Sequence, residues 1–150
     1  MTTFGKSKAI AGVGAVFSRW DEVQADWEDI AEITSISGPT MTREFIDVTS
    51  LDSTDGYKEF ITGFRDAGTV TLAMNFRRDM YNLMKEDFED DLAKNYEIIL
   101  PDEDQTSFEF AGLVTELPLE ITATDKVTLN VTIKLTGKVV VNDGSGSESE

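Results

Sequence analysis

Five carboxylates, Glu86, Asp87, Glu89, Asp90 and Asp91, crowd six consecutive positions of this chain. Such a run has the chemistry to move protons or hold a divalent cation, but either task needs converging partners. No basic or aromatic pocket signal flanks it, so it reads as a solvated helix face. Asp102-Glu103-Asp104 reads likewise as an acidic turn. Asp52-Ser53-Thr54-Asp55-Gly56 has the composition of a calcium loop. With Gly56 at the sixth position, Leu51 stands first and Thr62 twelfth, and neither carries a carboxylate. A turn explains these residues on backbone grounds. Ala11-Gly12-Val13-Gly14-Ala15-Val16-Phe17 begins like a dinucleotide fingerprint, but Phe17 takes the third glycine position and no strand precedes it. Gly144-Ser145-Gly146-Ser147 lies in a polar terminus, not between a strand and a helix, and is no nucleophile elbow. The chain has no histidine and no cysteine. That removes imidazole and thiolate zinc sites, disulfides, and every nucleophile activated by histidine. The expectation is a non-enzyme with no catalytic residue, no cofactor and no metal.

The elements that hold these residues are mostly strands. Residues 1–20 are rich in small residues without a sustained apolar period, and are expected to form a flexible basic arm. From Asp26 to Ile36 the pattern is strand-like and ends at Ser37-Gly38-Pro39. Thr42 to Thr49 alternates as a second strand, so a hairpin through the Gly-Pro turn is expected. The segment from Ser50 to Asp66 is rich in turn residues and reads as a long loop. It holds Leu51, Tyr57, Phe60, Ile61 and Phe64, more apolar surface than a solvated loop tolerates. Thr69 to Phe76 alternates with Val70, Leu72, Met74 and Phe76 on one face. Asp79 is placed to cap a helix from about Met80 to Lys94, with Met80, Leu83, Met84, Phe88 and Leu92 on its apolar stripe. Strands are expected at Tyr96 to Leu100 and from Phe108, the latter with a bulge near Gly112. Val127 to Leu135 is the clearest alternation in the chain. The fold class is therefore mainly β with one helix, a β-sandwich or barrel with the helix plugging one side. Residues 21–141 form the β-domain, and 142–150 a flexible acidic tail.

The 150 residues carry 29 acidic and 13 basic side chains, a net charge of −16. Such a surface repels nucleic acid, whose binding needs cations to displace phosphate counterions. The charge is uneven. Residues 1–20 hold Lys6, Lys8 and Arg19 and no acid, whereas residues 21–40 hold acids and no base. A basic arm beside an acidic body points to self-association as readily as to a solvated tail. Trp20 and Trp27 flank an acidic stretch, and serve either as packing residues or as anchors on a neighbouring subunit. No apolar run approaches the ~20 residues of a membrane span, so no direct membrane binding is expected.

The order of these parts resembles a known family. Ile33-Thr34-Ser35-Ile36-Ser37-Gly38-Pro39-Thr40, then Phe45-Ile46-Asp47-Val48-Thr49-Ser50-Leu51, then Lys58 to Leu72 with Gly63-Phe64-Arg65-Asp66-Ala67-Gly68, resembles the major tail tube proteins of long-tailed, siphovirus-type bacteriophages. The resemblance covers roughly residues 27–137. It implies a homo-hexameric ring with a continuous inner β-barrel, and rings stacked into a hollow tube. The implied partners are a tape-measure protein in the lumen, tail terminator and tail-tip proteins at the ends, and genome DNA that passes without specific binding. It implies inter-subunit and inter-ring contacts through Leu51, Asp52, Tyr57, Phe60, Phe64 and Asp66, and Trp20, outside the resemblance, joins them as a candidate anchor. Asp66 and Gly68 are expected to set the loop's exit geometry. The implied location is the virion tail, after assembly in the host cytoplasm. The competing readings are a secretion-system tube subunit of the same architecture, a monomeric acidic protein-binding β-domain, and a carboxylate hydrolase for which no catalytic pair is found.

Overall fold

Ten strands, one α-helix and a 3₁₀ turn at Thr54–Gly56 make up the fold, which the computed structural model describes over residues 12–142. In chain order they are β1 (Val16–Asp21), β2 (Asp26–Asp29), β3 (Ile33–Ser37), β4 (Thr42–Asp47), β5 (Phe60–Asp66), β6 (Thr69–Asn75), α1 (Arg78–Glu89), β7 (Lys94–Ile99), β8 (Ser107–Glu116), β9 (Leu119–Glu120) and β10 (Thr128–Asn142). The main sheet is antiparallel and runs β2-β1-β7-β8-β10-β6-β3, with β9 also on β10. Strands β4 and β5 form a separate two-stranded ribbon.

The strongest alternation in the sequence makes the centre of the core. Leu129, Val131, Ile133 and Leu135 on β10 and Val70, Leu72 and Met74 on β6 all point to one face and are buried. Phe17, Tyr96, Ile98, Phe110 and Val114 extend that face across β1, β7 and β8. Helix α1 lays Met80 and Met84 on it.

The sheet rolls around this core. Strands β2 and β3 are its two outermost strands, six strand spacings apart, which in a flat sheet is about 29 Å. Yet only residues 30–32 join them, a reach of about 14 Å. The corner is built for that closeness. Ile30 is buried, its N–H donates to the Phe17 carbonyl (2.8 Å), and the Glu32 carbonyl accepts from the Asn75 N–H (2.9 Å). Glu32 itself turns the chain at φ 67°. A strand that bends to change sheets is how rolled and orthogonal β packings make their corners.

Several expectations are corrected. Residues 16–20, read as part of a flexible arm, form most of β1, with Phe17, Ser18 and Arg19 buried. The rest of that arm before Gly12, and the acidic tail after Asn142, lie outside the described residues. The Gly-Pro hairpin does not form. Strand β3 pairs with β6, β4 pairs with β5, and Gly38-Pro39 is a kink within one arm of a much longer hairpin. The loop expected from Ser50 to Asp66 is partly strand, since β5 begins at Phe60. The N-cap position is Arg77, whose side chain makes no capping hydrogen bond, and Asp79 is already inside the first turn. It stops at Glu89, because Asp90 turns extended and its carboxylate accepts the Leu92 N–H (2.9 Å). Phe88 and Leu92, expected on the buried stripe, are exposed. The inward phase of β8 persists through Phe110, Gly112 and Val114, and its pairing with β10 slips twice, after Val114 and between Glu109 and Ala111, where β10 bulges opposite.

Candidate assembly surface

Pairing continues almost without slip from Ser37 opposite Thr71 to Asp47 opposite Phe60. The hairpin that begins as β3 and β6 in the sheet therefore leaves the body as the β4–β5 ribbon. Its base is clamped where it leaves. The Thr40 N–H donates to the Thr69 carbonyl (3.2 Å), and the Thr69 N–H donates to the Thr40 hydroxyl (3.0 Å). Gly68 sits at φ 82°, where a side chain would also run into the Thr40 backbone. The Gly68 N–H donates to Asp66 Oδ1 (2.8 Å), and Lys134 Nζ reaches both Asp66 oxygens at 3.3 Å. These bonds, the Gly68 N–H first and Lys134 second, hold the Asp66 carboxyl below the usual carboxylate range.

Beyond the base the ribbon has no core. Phe45 and Phe60 lie on one face with Thr62 and Asp47, while Ile46, Ile61 and Val48 share the other. All five apolar side chains are exposed, and Phe64 is 85% exposed at the bulge near Gly63. The tip is closed by hydrogen bonds. Val48 N–H donates to the Glu59 carbonyl (2.9 Å), and the Glu59 N–H donates to the Thr49 hydroxyl (2.7 Å). The Thr49 hydroxyl, and then its N–H, hold Asp47 below its ordinary range. Leu51 and Tyr57 project from this tip, fully and largely exposed.

The structure thus brings Leu51, Asp52, Tyr57, Phe60, Phe64 and Asp66 onto one projecting element, and leaves Trp20 apart on β1. The sequence reading missed Phe45, Ile46 and Val48 as surface residues, because their alternation looked like a strand with a core face. Lys134 was also missed. Its only signal was that it is the one charged residue in the alternating run from Val127 to Leu135.

The acidic run is the second correction. Asp87 is 1% exposed and is not a solvated carboxylate. Arg19 donates to it twice, Nε to Oδ2 (2.8 Å) and Nη2 to Oδ1 (2.7 Å), and the Tyr96 hydroxyl donates to Oδ2 (2.8 Å). Hydrogen bonding to Asp87 holds the Arg19 guanidinium ionised well beyond its already high range. Burial, reinforced by Asp87, pushes the Tyr96 phenol far up, so it remains a donor. The carboxylate is saturated and closed to solvent, which makes it a fastener between α1, β1 and β7. Among the described residues no three His, Cys, Asp or Glu side chains gather as a metal site would.

A rolled antiparallel sheet with one helix and a projecting two-faced apolar ribbon defines a β-structural subunit that has surface left to bury. The lambda phage tail tube protein profile matches residues 11–142, and the chain belongs to that family. No curated protein sequence matches it. Among solved structures, the tail of an empty gene transfer agent particle, refined with C6 helical symmetry, is similar at TM-score 0.72 and 20% identity, over 89% of this chain and 99% of that one. The baseplate of an anti-feeding prophage is similar at TM-score 0.70 and 11% identity, over 93% and 99%. The sheath–tube complex of an extracellular contractile injection system follows at TM-score 0.68 and 16% identity, over 91% and 93%. At these identities the likeness is one of fold.

Proposed function

We propose that this chain forms hexameric rings that stack into the tail tube, and that the β4–β5 ribbon is the element through which each subunit grips its neighbours. The observation that carries this reading is the ribbon's exposed apolar residues on both faces. An isolated two-stranded ribbon is marginal in water at best. This one carries Phe45, Phe60, Ile46, Ile61 and Phe64 into solvent, and a neighbouring subunit on each face supplies the missing partners. The sixfold symmetry of the similar gene transfer agent tail supports the ring. The similarity to a tube-terminating cap supports partners at the tube's end.

In this reading Leu51, Asp52, Tyr57, Phe60 and Phe64 make the inter-ring contacts, and Asp66 with Gly68 sets the angle at which the ribbon leaves. The tube encloses a tape-measure protein and later conducts genome DNA. A subunit with net charge −16 denies phosphates the cations they need for binding. The role is structural, without catalysis, and assembly takes place in the host cytoplasm before incorporation into the virion. The family match favours a phage tail over a secretion tube.

The test is negative-stain microscopy of the purified chain across a concentration series, with and without tail-tip proteins. Six-fold rings or tubes are expected. A chain that stays monomeric even on its tail tip would overturn the reading.

A further inference from the structure

The sheet face turned away from the core differs along its width. On β6 and β10 it presents mostly uncharged hydroxyls and amides, Thr71, Asn75, Thr128, Asn130 and Thr132, followed by Lys134, which is paired with Asp66. On the β2-β1-β7-β8 side it carries an open groove of about 590 Å³, lined by Trp20, Trp27, Asn95, Glu109, Ala111 and Val140, with Lys138 also on its wall. The two indoles stand edge to face at 5.3 Å and are only half-buried.

Beside the groove runs a row of carboxylates. Asp29 lies opposite Ser18, Ser18 opposite Glu97, and Glu97 opposite Glu109, so three acids share one line across four strands. Like charges facing each other across strands destabilise a sheet. Burial, then Glu109 and Asp29, push the Glu97 carboxyl up. The Ser18 hydroxyl satisfies Asp29 (2.7 Å) and the Asn142 amide satisfies Glu109 (3.0 Å). Among the described residues none of the three carboxylates pairs with a cation, although Lys138 stands on the groove wall, and the groove is open and lined by the two indoles.

We propose that this surface receives the first eleven residues of a neighbouring copy of the chain. Residues 1–11 contain Lys6 and Lys8 with no acid, and Phe4 and Ile10 beside them. They match the carboxylate row in charge and the indole groove in apolar character. Eleven residues span up to about 36 Å when extended. The chain's own entry point is at the far end of the strand. Val16 pairs with Ile99, and Gly14 lies against Pro101, whereas Trp20 lies four residues further along β1. Strand β1 therefore starts the chain about 14 Å from its own groove, and residues 1–11 would have to double back along the strand to fill it. The proposal rests on copies associating, as the tail-tube reading requires.

The experiment follows the tryptophan emission of the full chain across a concentration series, beside sedimentation, for the native sequence and for the Lys6→Glu/Lys8→Glu variant. Both lysines precede β1, and thermal melts of the two dilute proteins accompany the series. A synthetic peptide of residues 1–11 is also titrated into the full chain. The native protein should shift to the blue as it associates, with a half-point that rises with salt. The variant should need about tenfold more protein, the loss of two partly screened ion pairs. The peptide should shift the emission saturably, and its lysine-to-glutamate version should not. A shift independent of concentration would mean that the chain fills its own groove, and would overturn the proposal. So would an unchanged variant or a silent peptide. If the native chain never associates, even with tail-tip proteins added, the ring-and-tube reading fails, while the peptide titration still reports on the groove.

Discussion

Arg19 and Asp87 stand 68 residues apart in the chain and meet in a two-bond fork, with Nε–Oδ2 at 2.8 Å and Nη2–Oδ1 at 2.7 Å. The fork joins β1 to α1, and Tyr96 completes it from β7. Phe17 stacks on the Tyr96 ring at 5.6 Å, so the polar fastener continues directly into the apolar core.

Breaking the fork on one side strands a buried charge. Asp87→Ala should destabilise the subunit by about 3–5 kcal/mol, the cost of leaving a buried ion without its partner. Arg19→Met with Asp87→Leu, which removes both charges, should recover much of that loss. Urea unfolding of the dilute protein measures both, and equal losses in the single and double variants would deny the pairing its role.

The ribbon's apolar residues should matter only for assembly. Phe60→Ser with Phe64→Ser leaves the core untouched, so subunit stability should change by no more than about 0.5 kcal/mol. If either residue is an interface anchor worth about 2 kcal/mol, the critical concentration for tube formation should rise about 30-fold. Pelleting assays with thermal melts on the same samples check both parts.

Gly68 is the base of the ribbon, and its φ of 82° together with the nearby Thr40 carbonyl leave no room for a side chain. Gly68→Val should cost more than about 2 kcal/mol, because strain and collision add. It should also re-aim the ribbon and abolish stacking. Gly68→Val protein that forms normal tubes would remove this residue from the account.

Two sets of carboxyls should move stability in opposite directions with pH. Asp66 and Asp47 have folded pKa values below their ordinary range. Their contribution is present above the unfolded value of about 3.9, and is lost as pH falls through the folded value. Glu97 is raised, chiefly by burial and then by Glu109 and Asp29. Its favourable contribution is present below about 4.3, and is lost as pH rises through its folded value. Glu97→Gln should therefore stabilise the subunit near neutral pH by about 0.2–1 kcal/mol, with the gain vanishing at acid pH. Melting temperatures of both proteins between pH 3 and 8 measure this.

Local pattern alone already determined much of this protein. The period-two runs at 69–75 and 128–135 are strands in the structure because alternation carries its own face assignment. The missing histidine and cysteine removed whole classes of chemistry. The order of short motifs from Ile33 to Leu72 pointed to the tail tube family, and the family match agrees. What only the tertiary structure decided were choices between partners distant in the chain. Whether β3 pairs with β4 or β6 depends on which edge lies free after β10 has paired. Whether 42–48 faces a core or solvent depends on where the sheet ends, and alternation reads the same either way. Asp87 looked like its acidic neighbours because the residue that singles it out, Arg19, lies 68 positions away. A buried charge is legible only once its counter-charge is placed, since desolvation without pairing would cost more than the fold can supply.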